Sequence, residues 1–195
     1  MSYYNAPFGL VPAFHPSGLD RAQALSNGIA SGYSSNIFKG QPVYYVAAAG
    51  TIQPVTTTSE AWSGAFAGCQ WTDTTGRFRV SNYWPANTAY LSDNNMRAYF
   101  YNDQNIVYEI QADGSIAQTQ LGGEFNFTNL GVGSSTTGLS QCTLGAGTQV
   151  TAGSGQGQMR VVDLGQEVSN AWGDAYTIVR VVNCQSQFFG SVVSI

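Results

Sequence analysis

Apolar and polar residues alternate with a period of two along much of the chain, and this alternation is typical of β-strands. It predicts strands at residues 41–46, 51–55, 61–72, 77–84, 96–101, 105–111, 158–164 and 175–184. The strand at 105–111 is a clear example, because Ile106, Tyr108 and Ile110 share one face. The last two strands are rich in Val and Ile, which predicts a central place in a sheet.

Turn-forming residues separate these strands. Gly50 predicts a turn between the first two strands, and the run DTTG at residues 73–76 predicts another. Residues 102–104 are predicted to close a hairpin between the strands at 96–101 and 105–111.

Helical patterns are scarce. Residues 19–27 predict one or two helical turns that end at Gly28, and a short helix is a weaker prediction near residues 115–121. Gly, Ser and Thr dominate residues 122–157, which predicts short strands joined by long mobile loops. Many short strands without helical crossovers predict a single antiparallel β-barrel or β-sandwich, and the sequence leaves both open.

Residues 1–18 differ from the rest, because they are apolar and aromatic and contain Pro7, Pro12 and Pro16. Each proline removes a backbone donor and favours extended geometry in the residue before it. We therefore predict an extended N-terminal arm at 1–18 and a single β-rich domain at 19–195. The arm either lies on its own domain or clasps a neighbouring subunit, and its removal is expected to leave the domain folded.

Charged residues make up 9% of the chain, against roughly 25% in an average soluble protein. The net charge is −4 and Lys39 is the single lysine, which disfavours nucleic-acid binding because phosphate neutralisation needs clustered cations. Arg77 and Arg79 are a close pair of cations. Their alternation with Phe78 and Val80 predicts that the arginines form the outward face of a strand.

The surface must therefore be built from Ser, Thr, Asn, Gln, Gly and Tyr. Such a surface can be buried against another protein without leaving charged side chains buried and unpaired. The N-terminus lacks the pattern of a secretory signal, and no stretch approaches the roughly 20 apolar residues of a membrane helix. We expect no membrane partner. We expect assembly in a cytoplasm and release by a route other than secretion, as virion proteins are released.

The three cysteines, Cys69, Cys142 and Cys184, are far apart and odd in number, so their spacing implies no pairing. Each lies among apolar or small residues. We predict buried free thiols that act as small hydrophobic side chains, which suits a reducing compartment during assembly.

The sequence contains no recognisable catalytic or metal-binding motif. His15 is the single histidine, so no Ser-His-acid set can be built elsewhere, and no zinc-ligand spacing occurs. Residues 93–95 and 103–105 offer oxygen ligands in turns, but the calcium-loop pattern fails at its fifth position. We predict no metal, no cofactor and no enzyme activity.

A glycosidase needs two carboxylates roughly 5–10 Å apart. The chain has 11 acidic residues from which such a pair could come, and Glu109, Asp163 and Glu167 among them lie in no recognisable motif. The aromatic residues point more clearly to a function, and Tyr83 and Trp84 at the end of one strand are an example. Aromatic side chains on the outer face of a sheet can stack against sugars, pack in a subunit interface or lie under a loop that covers the sheet.

Five segments in order resemble the small head decoration (cement) proteins of tailed double-stranded DNA bacteriophages. They are NAPFGLVPAFHPSG, KGQPVYYVAAAGTIQPV, GAFAGCQWTDTTGRFRVSNYW, YFYNDQNIVYEIQADG and GQMRVVDLGQEVSNAWGDAYTIVRVVN. Residues 115–150 and the last ten residues match that pattern poorly. The resemblance depends on the order of these five segments along the chain.

The resemblance implies a structural protein that binds the outside of the assembled major capsid lattice and stabilises the head. It also implies a homo-oligomer, a trimer first and a dimer second, and no catalytic residues. It implies as well a place on the capsid surface of a virion that is assembled in the host bacterial cytoplasm. The alternatives are a tail or fibre domain, or a carbohydrate-binding module that uses surface aromatics and whose glycan affinity is expected to depend on Trp84. The predicted contacts with the capsid or with another subunit form three groups. The apolar anchors of the arm are Phe8, Leu10, Val11 and Phe14, and the arginines expected to face carboxylates are Arg77 and Arg79. The third group consists of His15, Tyr83 and Trp84.

Overall fold

The computed structural model describes residues 2–18, 21–91 and 95–188, and this part of the chain is mainly β. The strands are β1 (Val11–Phe14), β2 (Gln23–Ser26), β3 (Pro42–Val46), β4 (Thr51–Pro54), β5 (Gly64–Thr72), β6 (Phe78–Ser81), β7 (Arg97–Tyr101), β8 (Val107–Gln111), β9 (Glu124–Phe125), β10 (Phe127–Thr128), β11 (Thr143–Leu144), β12 (Met159–Leu164) and β13 (Ile178–Asn183). Single 3-10 turns occur at Gln118–Gln120 and Ala146–Thr148.

The strands form two main antiparallel sheets. A five-stranded sheet has the order β1-β8-β13-β12-β9, and a six-stranded sheet has the order β2-β7-β5-β3-β4, with β6 added beside β5. Strands β10 and β11 form a small pair of their own. Both large sheets are open, so the closed-barrel alternative is wrong, and the coarser prediction of antiparallel sheets is confirmed.

Several predicted elements are confirmed. Strands β3 and β4 form the hairpin around Gly50, with Tyr44 opposite Gln53. Strands β12 and β13 pair with each other, and β13 is central because β8 lies on its other side. The strands of the Gly-rich region at residues 122–157, β9 to β11, are each two residues long, so the prediction of short strands there is confirmed.

Two local predictions are wrong because tertiary pairing overrides local pattern. Residues 102–104 do not close a hairpin: β7 pairs with β2 and β5, whereas β8 pairs with β1 and β13, so this turn carries the chain from one sheet to the other. The helical turns predicted at 19–27 are absent from its described part, where Gln23–Ser26 is a strand whose partner is β7.

The first apolar core lies between the five-stranded sheet and one face of the six-stranded sheet. Trp62 is its largest side chain and is fully buried. Its ring lies 5.6 Å from the ring of Tyr108 and 5.4 Å from that of Phe127, and its indole N–H donates to the carbonyl of Gln158 at 2.8 Å. The predicted face of Ile106, Tyr108 and Ile110 packs into this core, as expected.

The second apolar core lies on the opposite face of the six-stranded sheet, where loop residues cover it. Its centre is Trp84, whose ring lies 5.4 Å from Trp71 and 6.2 Å from Tyr90. A bulge in β5 between Phe66 and Gly68 shifts the alternation between the two cores. Gly68 has φ +145°, and a Cβ there would lie 2.9 Å from the carbonyl oxygen of Ser81, so glycine lets β6 approach.

The N-terminal segment lies on its own domain. Ser2 is fully buried and its hydroxyl donates to the carbonyl of Ser169 at 2.6 Å, while the side-chain amide of Gln111 donates to the carbonyl of Tyr4 at 2.9 Å. Leu10 belongs to the first core, and β1 pairs with β8. Removing residues 2–16 would take away an edge strand and a core side chain, so the structure leads us to expect that their loss destabilises the domain, in contrast to the expectation from the sequence.

The three cysteines are free thiols: Cys69 and Cys142 are buried and Cys184 is partly buried. Burial raises the pKa of Cys69 to about 12 and that of Cys184 to about 11, and it also raises the pKa of Cys142. The prediction of free thiols is confirmed, with Cys184 less buried than expected.

No helix in the described part of the chain is long and apolar enough to cross a membrane.

Candidate functional site

The candidate site consists of two edge strands that expose large apolar side chains, β1 in the five-stranded sheet and β6 beside β5. On β1, Val11 is 43% exposed and Phe14 45% exposed. On β6, Phe78 is 63% exposed and Val80 71% exposed. Edge strands of soluble proteins usually carry charges or prolines, because an open edge can pair with another chain; β1 contains Pro12 and β6 contains Arg79, but large apolar side chains are exposed beside them.

Strand β1 borders an apolar cleft of about 290 Å³, which we call the β1 cleft. It is formed where the N-terminal segment crosses the loops around Gly40 and Leu139, and the lining residues are Phe8, Leu10, Val11, Pro12, Lys39, Gly40, Phe66, Tyr101 and Leu139. The backbone N–H of Leu10 donates to the carbonyl of Gly40 at 2.7 Å, which fixes this crossing. The exposed Lys39 is the single lysine of the chain and places one positive charge at the cleft.

Phe14 is held from the other side by Arg180, whose guanidinium carbon lies 5.6 Å from the ring centroid. The same guanidinium donates to Glu109 at 3.0 Å and lies 3.9 Å from a carboxylate oxygen of Asp163. Two of the acids that had no motif in the sequence therefore flank one arginine. This cluster fixes the position of Phe14 on the outer face of the sheet.

His15 is also held in place by contacts within the chain. The backbone N–H of Ser17 donates to Nδ1 of His15 at 3.0 Å. Nε2 lies 3.1 Å from a carboxylate oxygen of Asp103, and the His15 side chain is only 9% exposed. A hydrogen bond from the backbone N–H of Asn105, and then the contact with His15, lower the pKa of Asp103.

Strand β6 is fixed to the body by the turn at its start. Asp73 accepts hydrogen bonds from the hydroxyl of Thr75 at 2.6 Å, from the backbone N–H of Arg77 at 3.0 Å and from the guanidinium of Arg79 at 2.9 Å. These bonds, led by Thr75 and Arg77, hold the pKa of Asp73 well below its usual range. The predicted turn at 73–76 is thus confirmed, and the backbone N–H of Gly76 donates to the carbonyl of Asp73 at 2.9 Å.

Both faces of β6 are exposed, which differs from the predicted alternation of inner and outer faces. Phe78 lies opposite Thr72 and Val80 opposite Gln70, so the two apolar side chains share a face with polar residues of β5. That face also includes Tyr99, whose hydroxyl donates to the side-chain carbonyl of Gln70 at 2.9 Å. Sequence alternation could not reveal that the five-stranded sheet ends before it covers this face.

The remaining predicted contact residues differ in how deeply they are buried. Leu10 is 2% exposed and Trp84 is fully buried, so both are core residues and not surface contacts. The ring of Tyr83 is partly buried and stacks on Phe38 at 5.7 Å. Since Trp84 is buried, a carbohydrate site could not use this residue and would need other, exposed aromatics.

Residues 93–94 lie outside the described residues, so the oxygen-rich turn predicted there has no structural description. Within residues 2–18, 21–91 and 95–188, no group of three or more His, Cys, Asp or Glu side chains is placed to hold a metal ion.

Comparison with protein-family models, with curated proteins and with solved structures found no match.

Proposed function

We propose that this chain is a structural virion protein that binds the outside of an assembled capsid lattice, as the head decoration proteins that it resembles do. In this proposal the two open sheets form a sandwich-like body, and the chain acts as a homo-oligomer, a trimer first and a dimer second. The partner is the major capsid protein, and the place of action is the capsid surface.

The observation that carries the proposal is the exposure of large apolar side chains on two edge strands, β1 and β6, in a chain with few charges. Apolar side chains on an open edge favour association with another protein surface. Residues such as Val11 and Phe14 are held in place by backbone pairing and by Arg180, so little side-chain entropy is lost when a partner covers them.

A decoration protein also needs only moderate affinity at each site. Binding to the assembled lattice stabilises the shell by mass action, and many copies add their contributions. The contacts of the apolar side chains of β1 would change little with salt, because they need no exposed ion pair.

The test mixes the purified chain with undecorated, expanded heads of the phage that carries it and measures occupancy by co-sedimentation. We expect saturable binding and heads that resist heat better. The double variant Val11→Ser/Phe14→Ser should lose at least tenfold in affinity, whereas Val168→Ser, a change at a fully exposed valine outside β1 and β6, should not. Wild-type protein that leaves the heads bare would refute the proposal.

A further inference from the structure

The outer edge of β6 has unpaired backbone groups. Strand β6 pairs with β5 along one edge, and within the described residues no strand pairs with its other edge. The backbone N–H of Asp73 donates to the carbonyl of Arg77 at 2.9 Å, so Arg77 points its backbone groups at β5. Backbone groups alternate in direction along a strand. The N–H and C=O groups of Phe78 and Val80 therefore point away from β5, to the open edge.

The side chains of this edge have a definite chemistry. Phe78 and Val80 place apolar surface on one face of the strand, and Arg77 and Arg79 place positive charge on the other. Arg79 is paired with Asp73, whereas Arg77 is exposed and has no carboxylate within 4.0 Å among the described residues. A strand that pairs here meets an apolar face and a cationic face.

We propose that the open edge of β6 binds an extended segment of another protein in which apolar residues alternate with Asp or Glu. Such a segment adds a strand to the six-stranded sheet through the free backbone groups of Phe78 and Val80. Its apolar side chains cover those two residues, and its carboxylates face Arg77 and Arg79. This inference rests on the proposed function only in that the capsid protein would supply the segment.

A second copy of this chain fits the edge less well. If β6 pairs with β6 of another copy in antiparallel orientation, the arginines of the two strands lie opposite or diagonal to one another. Like charges at these positions destabilise a strand pair. The apolar face alone would accept a second copy, so the charged face is what favours an acidic partner.

The experiment follows the amide signals of the full-length ¹⁵N-labelled chain during titration with two blocked peptides. The acidic peptide is acetyl-Val-Asp-Val-Asp-Val-Thr-amide, and the basic control replaces both Asp residues with Lys. We expect saturable shifts centred on Phe78 and Val80 with the acidic peptide, and at least tenfold weaker binding of the basic peptide. Shifts centred elsewhere, equal binding of the two peptides, or concentration-dependent shifts of these amides without peptide would overturn the inference.

Variants of β6 distinguish binding through backbone hydrogen bonds from non-specific apolar binding. Val80→Pro removes an outward N–H and should abolish the shifts, whereas Val80→Thr keeps that N–H and should retain them. Arg77→Gln should reduce the preference for the acidic peptide at least threefold. If Val80→Pro fails to fold, an acidic peptide with N-methylated backbone gives the same test, and undiminished binding of that peptide would refute strand addition.

Binding to heads distinguishes this inference from the proposed function. Wild-type occupancy by a folded Val80→Pro protein would overturn the role of β6 and leave the proposed function standing. Peptide binding at β6 by a chain that does not bind heads would support the inference and refute the proposed function.

Discussion

Strands β1 and β6 are both open edges with exposed apolar side chains, but they are built differently. Strand β1 contains Pro12, which has no N–H, and its pairing with β8 is interrupted by a bulge between Pro12 and Phe14. Strand β6 contains neither a proline nor a bulge in its pairing with β5. Prolines and bulges are devices that keep an edge from pairing with another strand. Strand β1 therefore offers side chains to a partner, whereas β6 offers its backbone as well.

The two strands also differ in how the body holds them. The flank of β1 reaches the first core through Leu10, and its outer face is held by Arg180. Strand β6 contributes no side chain to either core and is held by backbone pairing and by the Asp73 turn. Loss of β1 should thus damage the fold, while changes on β6 should alter binding and leave the fold unchanged.

The largest expected effect tests this difference directly. Leu10→Ala removes a buried side chain beside β1 and should lower the free energy of unfolding by about 2–5 kcal/mol. Val80→Ala, the matched truncation on β6, should change it by less than about 0.5 kcal/mol. Urea unfolding followed by tryptophan fluorescence measures both. Equal losses in the two variants would contradict the proposed difference between the strands.

A smaller effect concerns the contact that holds β1 at its outer face. Arg180→Gln removes the charged hydrogen bond to Glu109 and should lower the free energy of unfolding by about 2 kcal/mol. In a double-mutant cycle with Phe14→Leu, the coupling energy should be about 0.5–1 kcal/mol, since the guanidinium lies over the ring. A coupling energy near zero would show that Arg180 does not fix Phe14.

The smallest effect concerns the turn that holds β6. Because the folded-state pKa of Asp73 is below the unfolded value of about 3.9, its carboxylate stabilises the fold above pH 4. That contribution is lost as the pH falls below 4 toward the lowered pKa. Asp73→Asn should therefore be less stable than wild type at pH 6, and the difference should shrink steadily down to pH 2.

Thermal unfolding of the two proteins across this pH range gives the measurement. Glu167→Gln is a suitable control, because Glu167 is an exposed acid outside this turn. A difference between wild type and Asp73→Asn that stays constant with pH would mean that the turn does not depend on the charge of Asp73.

Much of the fold could be predicted from local pattern. Alternation located the buried face of β8, and Gly50 and the DTTG run located two turns. The helical prediction at 19–27 failed because its residues have no strong preference, and pairing with β7 decides their conformation. The hairpin prediction at 102–104 failed because a short polar turn looks the same within a sheet and between two sheets.

The candidate site was predicted only in part. Val11 and Phe14, which were predicted as apolar anchors of an extended arm, are exposed on an edge strand, but Leu10 and Trp84 are core residues. Nothing in the sequence around Phe78 and Val80 distinguishes them from buried alternating residues. Their exposure depends on where the opposing five-stranded sheet ends, and packing between distant segments of the chain decides that position.

The sequence by itself determined the strand-rich class, because alternation, β-propensity and turn residues act over a few neighbouring positions. It also determined the scarcity of charge, which makes so much of the surface suitable for contact with protein. Only the tertiary structure decided which strands are edges and which apolar faces stay uncovered. Those features depend on pairing between distant segments, such as β1 with β8 and β2 with β7, whose partners no local pattern specifies.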